Sequence, residues 1–231
     1  MPSHTTDSAN SRTHKRQSRE CLWALMSQRI LVLEGPYSSA FQGYNLAEEA
    51  FRGEPYAHHD HPLQGNHDIL NITQPAIVAE VHNGYLATGC DIISTNTFNA
   101  TAIAQHDFGT EDACFNSNEQ AAQIARQCAD AYSSDTQPRF VAGSIGPTNR
   151  TASISPDVNR PEFRNVDFVQ LCDSYLEAAR GYPYRIFVSR YSGWSDNGNR
   201  QRWPIGHLRR PAARSARSSR RFGIEPPRNC H

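Results

Sequence analysis

Asp91-Ile-Ile-Ser-Thr-Asn-Thr-Phe-Asn99 is the stretch on which the fold of this chain turns. Cys90, Ile92 and Ile93 make a short apolar run, and Ser94, Thr95, Asn96 and Thr97 end it. Gly89 precedes the run, and a helical apolar pattern precedes Gly89. This predicts a buried strand of a parallel sheet, with hydroxyls and an amide at its carboxyl end. Ligands of α/β folds sit at that end of a strand.

On either side the pattern alternates. Ile30-Leu-Val-Leu-Glu34 reads as an earlier strand, closed by the Gly35-Pro36 turn and placing Glu34 at its carboxyl end. Gln42 to Asn71 is polar and reads as a solvated loop. It holds His58, His59, His61 and His67 with Asp60 and Asp68, but their spacing fits no tight metal motif. Thr73-Gln-Pro75 opens a helix, with Thr73 as capping residue and Pro75 in the first turn. Ile77, Val78, Val81, Tyr85 and Leu86 follow at helical spacing, and Gly89 ends the element. A second helix begins near Asn116, with Glu119 as its capping-box partner, and shows Ala121, Ile124, Ala125, Cys128 and Tyr132 on one face. Phe140-Val-Ala-Gly143 is a third strand that runs into Ser144-Ile-Gly-Pro-Thr148. A third helix starts at about Asp167, with Phe168, Leu171, Tyr175, Leu176 and Ala179 on its apolar face.

Strand and helix thus alternate three times, which argues for βαβ units and a parallel sheet. The loops after the second and third strands converge on one face, as in a (β/α)8 barrel. A doubly wound sheet is the alternative, but no GxGxxG follows any strand.

The chain has 231 residues, with 23 Lys and Arg against 23 Asp and Glu. The balance hides a split: up to Arg180 there are 12 basic and 21 acidic residues, and from Gly181 on there are 11 Arg against Asp196 and Glu225. The six cysteines are scattered, with no CxxC and no zinc-type Cys/His pair. Cys128 and Cys172 fall on apolar helix faces and read as buried thiols, which suits a reducing, cytoplasmic setting. No apolar run approaches a membrane span. The polar N-terminal residues lack the apolar core of a secretory signal and read as a disordered arm, taken to residue 28.

Several motifs resemble one family. Leu63-Gln-Gly-Asn66, Asp68-Ile-Leu70, Thr73-Gln-Pro75 and Ser94-Thr-Asn-Thr-Phe-Asn99 resemble the homocysteine-binding module of the cobalamin-dependent methionine synthase family. The closest match is the run Gly146-Pro-Thr-Asn-Arg-Thr-Ala-Ser-Ile-Ser-Pro-Asp-Val-Asn159 followed by Phe163-Arg-Asn165. The resemblance spans about Arg29 to Arg180. It implies a (β/α)8 barrel of TIM type, of which this chain holds the first three to four βα units. It also implies methyl transfer to the homocysteine thiol. In the full-length family zinc makes the thiolate available and methylcobalamin supplies the methyl group.

Two departures bear on function. The family's Gly-rich first turn is here Glu34-Gly35-Pro36-Tyr37-Ser38-Ser39, and Pro36 removes a backbone donor. The family's zinc ligands are three cysteines on later strands, including a Cys-Cys pair, and none is found here. The expectation is therefore no metal ligand, no bound cofactor and no activity of this chain alone. The candidate homocysteine-binding residues are the matching strand ends: Glu34, Gly35, Thr95, Asn96, Gly143 and Gly146. The barrel part is taken as 29–181. The basic segment 182–231 has no amphipathic period; a nucleic-acid arm is disfavoured against a disordered tail or a shifted reading frame. Read one base over, Gly181–Gly193 permits an apolar strand ending in an acid. An incomplete barrel leaves strand edges uncovered, so self-association, or pairing with another barrel fragment, is expected.

Overall fold

The computed structural model describes residues 20–182, together with the backbone of Phe187–Arg190. The tail readings, nucleic-acid arm and shifted frame alike, lie outside the described residues apart from that short strand. So does the arm before residue 20.

Three strands form a parallel sheet in chain order: β1 (Ile92–Ser94), β2 (Phe140–Ile145) and β3 (Phe187–Arg190). Ile93 lies opposite Val141, and Gly143 opposite Val188. The Ile30–Glu34 segment adds to the free edge of β1, but only as a single parallel bridge between Leu33 and Ile92. Among the described residues nothing pairs with its outer side, and Ile30, Val32 and Leu33 stay exposed. Backbone bonds hold the segment, with the Asp91 and Ile92 amides donating to the Val32 carbonyl at 2.8 and 3.1 Å, and a side chain adds to them. Both oxygens of the buried Asp91 carboxylate take hydrogen bonds from Arg29, at 2.7 and 2.8 Å, and Oδ2 also accepts from Val32 N–H. The Arg29 guanidinium holds the Asp91 carboxyl below its ordinary range. Neighbouring parallel strands in sequence order fit a barrel wall and also occur within one half of a doubly wound sheet.

Among the described residues the α-helices are α1 over 20–28, α2 (Tyr37–Gln42), α3 (Glu48–Arg52), α4 (Leu70–Thr73), α5 (Pro75–Ala87), α6 (Ala102–Gln105), α7 (Cys114–Tyr132) and α8 (Phe168–Arg180). Val78, Val81 and Leu86 of α5 meet Ala122, Ala125 and Ala129 of α7 and Ile93 and Val141 of the sheet in one core. The alanines on α7 let the two helices approach closely, and the larger side chains of α5 fill the gap. Gly89 takes φ +97° just after α5, a left-handed turn that glycine adopts without strain. No helix among the described residues is long and apolar enough to cross a membrane.

The structure corrects several local expectations. Residues 20–28 are helical, where a disordered arm was expected. Thr73 ends α4 and donates to the Ile69 carbonyl; Gln74 is the N-cap of α5, with Pro75 as its first residue. The α7 helix begins at Cys114, out of a short 3-10 turn over Glu111–Ala113, so Asn116 lies inside it and Glu119 forms no capping box. The α8 helix starts where expected, and the structure adds a capping box there: Asp167 and Gln170 bond each other's backbone. Its inward line, however, is Ser174 and Ala178, which leaves Phe168, Leu176 and Cys172 exposed. Beyond Gly181, the end taken for the barrel part, the described residues include β3.

The largest correction is Gln42–Asn71. This stretch contains α3, a 3-10 turn over His67–Ile69 and the start of α4. Leu63, Asn66, Asp68, Ile69, Leu70 and Asn71 are buried. The glutamate of α3 organises it: Glu48 accepts from the Leu63 and Gln64 amides and pairs with Arg52 at 2.7 Å.

Candidate functional site

The carboxyl ends of the first segment, β1 and β2 lie side by side. Glu34 N–H donates to the Ile92 carbonyl at 3.0 Å, which brings its side chain beside Ser94. Ser94 Oγ donates to Glu34 Oε1. Glu34 Oε2 is buried and has no hydrogen-bond partner. Burial raises the Glu34 carboxyl above its ordinary range, against the Ser94 hydrogen bond that favours the charged form. Gly35 packs under Tyr85: a Cβ at Gly35 would lie 2.9 Å from the ring, and Tyr85 Oη donates to the Pro36 carbonyl at 3.0 Å.

Thr95 and Asn96 use their side chains inside the protein. Thr95 Oγ1 accepts the Ser144 amide at 2.9 Å and bonds Thr97 Oγ1 at 2.6 Å. Thr97 Oγ1 in turn reaches the Ser144 carbonyl and the Tyr182 hydroxyl, each at 2.9 Å. This network ties the end of β1 to the end of β2. Asn96 Nδ2 donates to the His67 carbonyl at 2.7 Å, and the Asn96 carbonyl accepts from Asn71. Asn71 joins Asp68 and Ser117 through a shared set of bonds around the Asp68 carbonyl. Gly143 is buried in β2. Gly146 lies against the loop after β1, where a Cβ would collide with the Phe98 carbonyl oxygen.

All six candidate residues therefore stand at one end of one sheet, and Glu34 and Gly35 adjoin the β1 end directly. Only Glu34 presents an unsatisfied polar atom. Thr95 and Asn96 cap strand ends, which their residue types also allow. The run Gly146–Asn159 is anchored by Arg150, which bonds the Ile103 carbonyl and Asp107, each at 2.8 Å.

Four further residues lie at or near the site but were not read as site residues from the sequence. Ser94 was legible as part of the motif. Tyr37 and His82 were not, because their partnership spans 45 residues. Asp68 was placed in a solvated loop; it is in fact fully buried, its Oδ1 accepting the Asn99 amide at 2.9 Å, and burial raises its carboxyl to about 7.

A comparison with protein families matches residues 31–189 to Homocysteine S-methyltransferase. The chain belongs to the homocysteine S-methyltransferase family. Among solved structures it is similar to the homocysteine methyltransferase MmuM of Escherichia coli in its oxidized form, with 21% identity and a TM-score of 0.43 over 55% of this chain and 40% of that one. The metallated form of the same enzyme matches with 19% identity and a TM-score of 0.42, over 54% of this chain and 40% of that one. The chain thus spans about 40% of the length of these structures.

The described residues of this family member do not fit the zinc that the resemblance implies. Among them no three His, Cys, Asp or Glu side chains are grouped to hold a metal ion. A cysteine binds zinc as the thiolate. Here burial pushes the Cys90 thiol up to about 11 and Cys114 up to about 12, and raises Cys128 as well. Cys114 and Cys128 lie at positions fourteen residues apart on α7 and Cys90 lies before β1, so the three behave as core thiols.

Proposed function

We propose that this chain is the homocysteine-binding part of a methionine synthase, and that its described residues build the opening βα units of a (β/α)8 barrel. The family match over 31–189 carries the reading. The run Gly146–Asn159 with Phe163-Arg-Asn165 favours methionine synthase within the family, and the in-order parallel strands fit a barrel wall. Methylcobalamin is then the methyl donor, and the unpaired buried thiols suit the cytoplasm.

In this reading Glu34 receives the ammonium group of homocysteine on Oε2. An opposite charge there offsets the cost of a buried carboxylate. Gly35, Gly143 and Gly146 line the approach, while Thr95 and Asn96 hold the strand ends beneath it. Methyl transfer forms a carbon–sulfur bond and releases the thiol proton. The described residues supply no group that deprotonates sulfur, so the chain alone binds homocysteine without converting it.

Titration calorimetry with homocysteine tests the proposal. Binding that Glu34→Gln weakens about tenfold supports it, the loss expected for a charge-assisted hydrogen bond. Absence of binding, or binding indifferent to Glu34→Gln, rejects the site. Methionine formation from homocysteine and methylcobalamin with added zinc rejects the expected inactivity.

A second reading has its own support. Ile30, Val32 and Leu33 on the sheet edge and Phe168, Val169 and Leu176 on α8 are exposed. Such faces favour pairing with another barrel fragment or a second copy.

A further inference from the structure

The turn after the first strand segment puts a tyrosine where the family has a Gly-rich turn, and that side chain is tightly held. The Tyr37 ring stacks on Phe41 at 6.2 Å and meets His82 and Tyr85 edge-on at 5.1 and 5.8 Å. Its hydroxyl lies 2.9 Å from two groups, His82 Nδ1 and the Ser94 carbonyl. A phenol has one proton, and a carbonyl only accepts. The proton therefore goes to Ser94, and His82 Nδ1 must carry the hydrogen that bonds the Tyr37 oxygen. His82 is fully buried, and burial lowers it to about 4, so the ring is neutral near pH 7. This leaves Nε2 as the bare nitrogen, and Nε2 has no partner.

The polarity of the chain is then fixed from end to end. His82 Nδ1–H donates to Tyr37, Tyr37 Oη–H donates to the Ser94 carbonyl, and Ser94 Oγ–H donates to Glu34 Oε1. Ser94 is gripped through its backbone by Tyr37 and through its hydroxyl by Glu34. The ionisable groups bearing on Glu34 from the packed elements are Tyr37 of α2, Tyr85 of α5 and Cys90 before β1. None of these is a cation, and the Tyr37 hydroxyl also bears directly on the Glu34 carboxyl, so Oε2 is open to a donor brought by a ligand.

We propose that Tyr37 and His82 are positioning residues that hold Ser94 and, through it, orient the Glu34 carboxylate, leaving Oε2 as the acceptor for the ammonium group of an amino-acid ligand. The inference rests on the homocysteine-binding reading for its ligand and on this geometry for its mechanism.

Two measurements on the full chain separate these. The first needs no ligand. Nitrogen NMR of histidine-labelled protein is expected to show His82 protonated at Nδ1 and bare at Nε2. Carbon NMR of the Glu34 carboxyl is expected to show its titration midpoint displaced in Tyr37→Phe and in His82→Leu. His82→Asn, which keeps an amide donor near the place of Nδ1, should restore it. The second is calorimetry with homocysteine. Tyr37→Phe is expected to weaken binding about tenfold and to displace its pH profile with the Glu34 midpoint. A wild-type His82 protonated at Nε2 overturns the proposal, whether or not the variants fold. An unchanged Glu34 titration and unchanged affinity in Tyr37→Phe overturn it too. If the wild type binds no homocysteine, the functional reading fails while the NMR pair still decides the role of Tyr37.

Discussion

Asp68 and His82 are buried titratable groups that push stability in opposite directions as pH changes, and Asp68→Asn should expose the opposition. Asp68 binds its proton more tightly folded than unfolded: its carboxyl rises from 3.8 to about 7. That stability is fully present below pH 3.8 and is lost as pH rises through about 7. The rise is about three pH units, or about 4 kcal/mol at about 1.4 kcal/mol per unit. His82 falls from 6.5 to about 4, so its contribution is present above pH 6.5 and is lost as pH falls through about 4; about 2.5 units give about 3 kcal/mol. Between about pH 4 and 6.5 the two slopes nearly cancel. The wild type should therefore hold a flat stability profile there, with the raised Glu34 carboxyl adding slightly to the Asp68 side. Asp68→Asn keeps an oxygen for the Asn99 amide and removes one slope. Its stability should climb by about 3 kcal/mol from about pH 4 to 6.5. The quantity to read is the wild-type-minus-variant difference from urea unfolding at several pH values. A difference that stays constant from about pH 4 to 8 would refute both the burial argument and its sign.

Other variants address the framework. Thr95→Val leaves the Ser144 amide without its acceptor and should cost about 1–3 kcal/mol in urea unfolding. Gly146→Ala drives a methyl into the Phe98 carbonyl and should cost about 1–3 kcal/mol or more, with the loss of any homocysteine binding read by calorimetry. Arg139→Met abandons the carbonyls of Gly89 and Cys90 and should destabilise the chain by about 2–4 kcal/mol, again by urea unfolding, without altering the pH profile described above. Val32→Lys places a charge on the uncovered sheet edge and should lower the association constant seen in sedimentation.

The long, periodic elements were legible because one local pattern decides each of them. The Ile92–Ser94 strand, the α5 and α7 faces and the start of α8 near Asp167 have this character. Gln42–Asn71 was not legible, because its helices are too short to show a period. Its burial is decided by partners such as Ser117 and Asn96, which lie far along the chain. The α8 face was misread for a related reason. Small residues at Ser174 and Ala178 let the helix come close, with the Ile103 amide bonding Ser174 Oγ at 3.2 Å, so the bulky side chains turn outward. At the candidate site, the strand-end rule located Glu34, Gly35, Gly143 and Gly146. It could not foresee that Thr95 and Asn96 are consumed by internal hydrogen bonds, or that a tyrosine and a histidine from different helices meet above Ser94.

The bonds that join Thr95, Thr97, Ser144 and Tyr182 also set a time scale. The Ser144 amide points into the Thr95 hydroxyl and not into solvent, so a deuteron reaches it only when the ends of β1 and β2 part. Those ends are tied again through the Ser144 carbonyl, which accepts from both Thr97 and Tyr182. The Ser144 amide should therefore exchange at the rate of global unfolding.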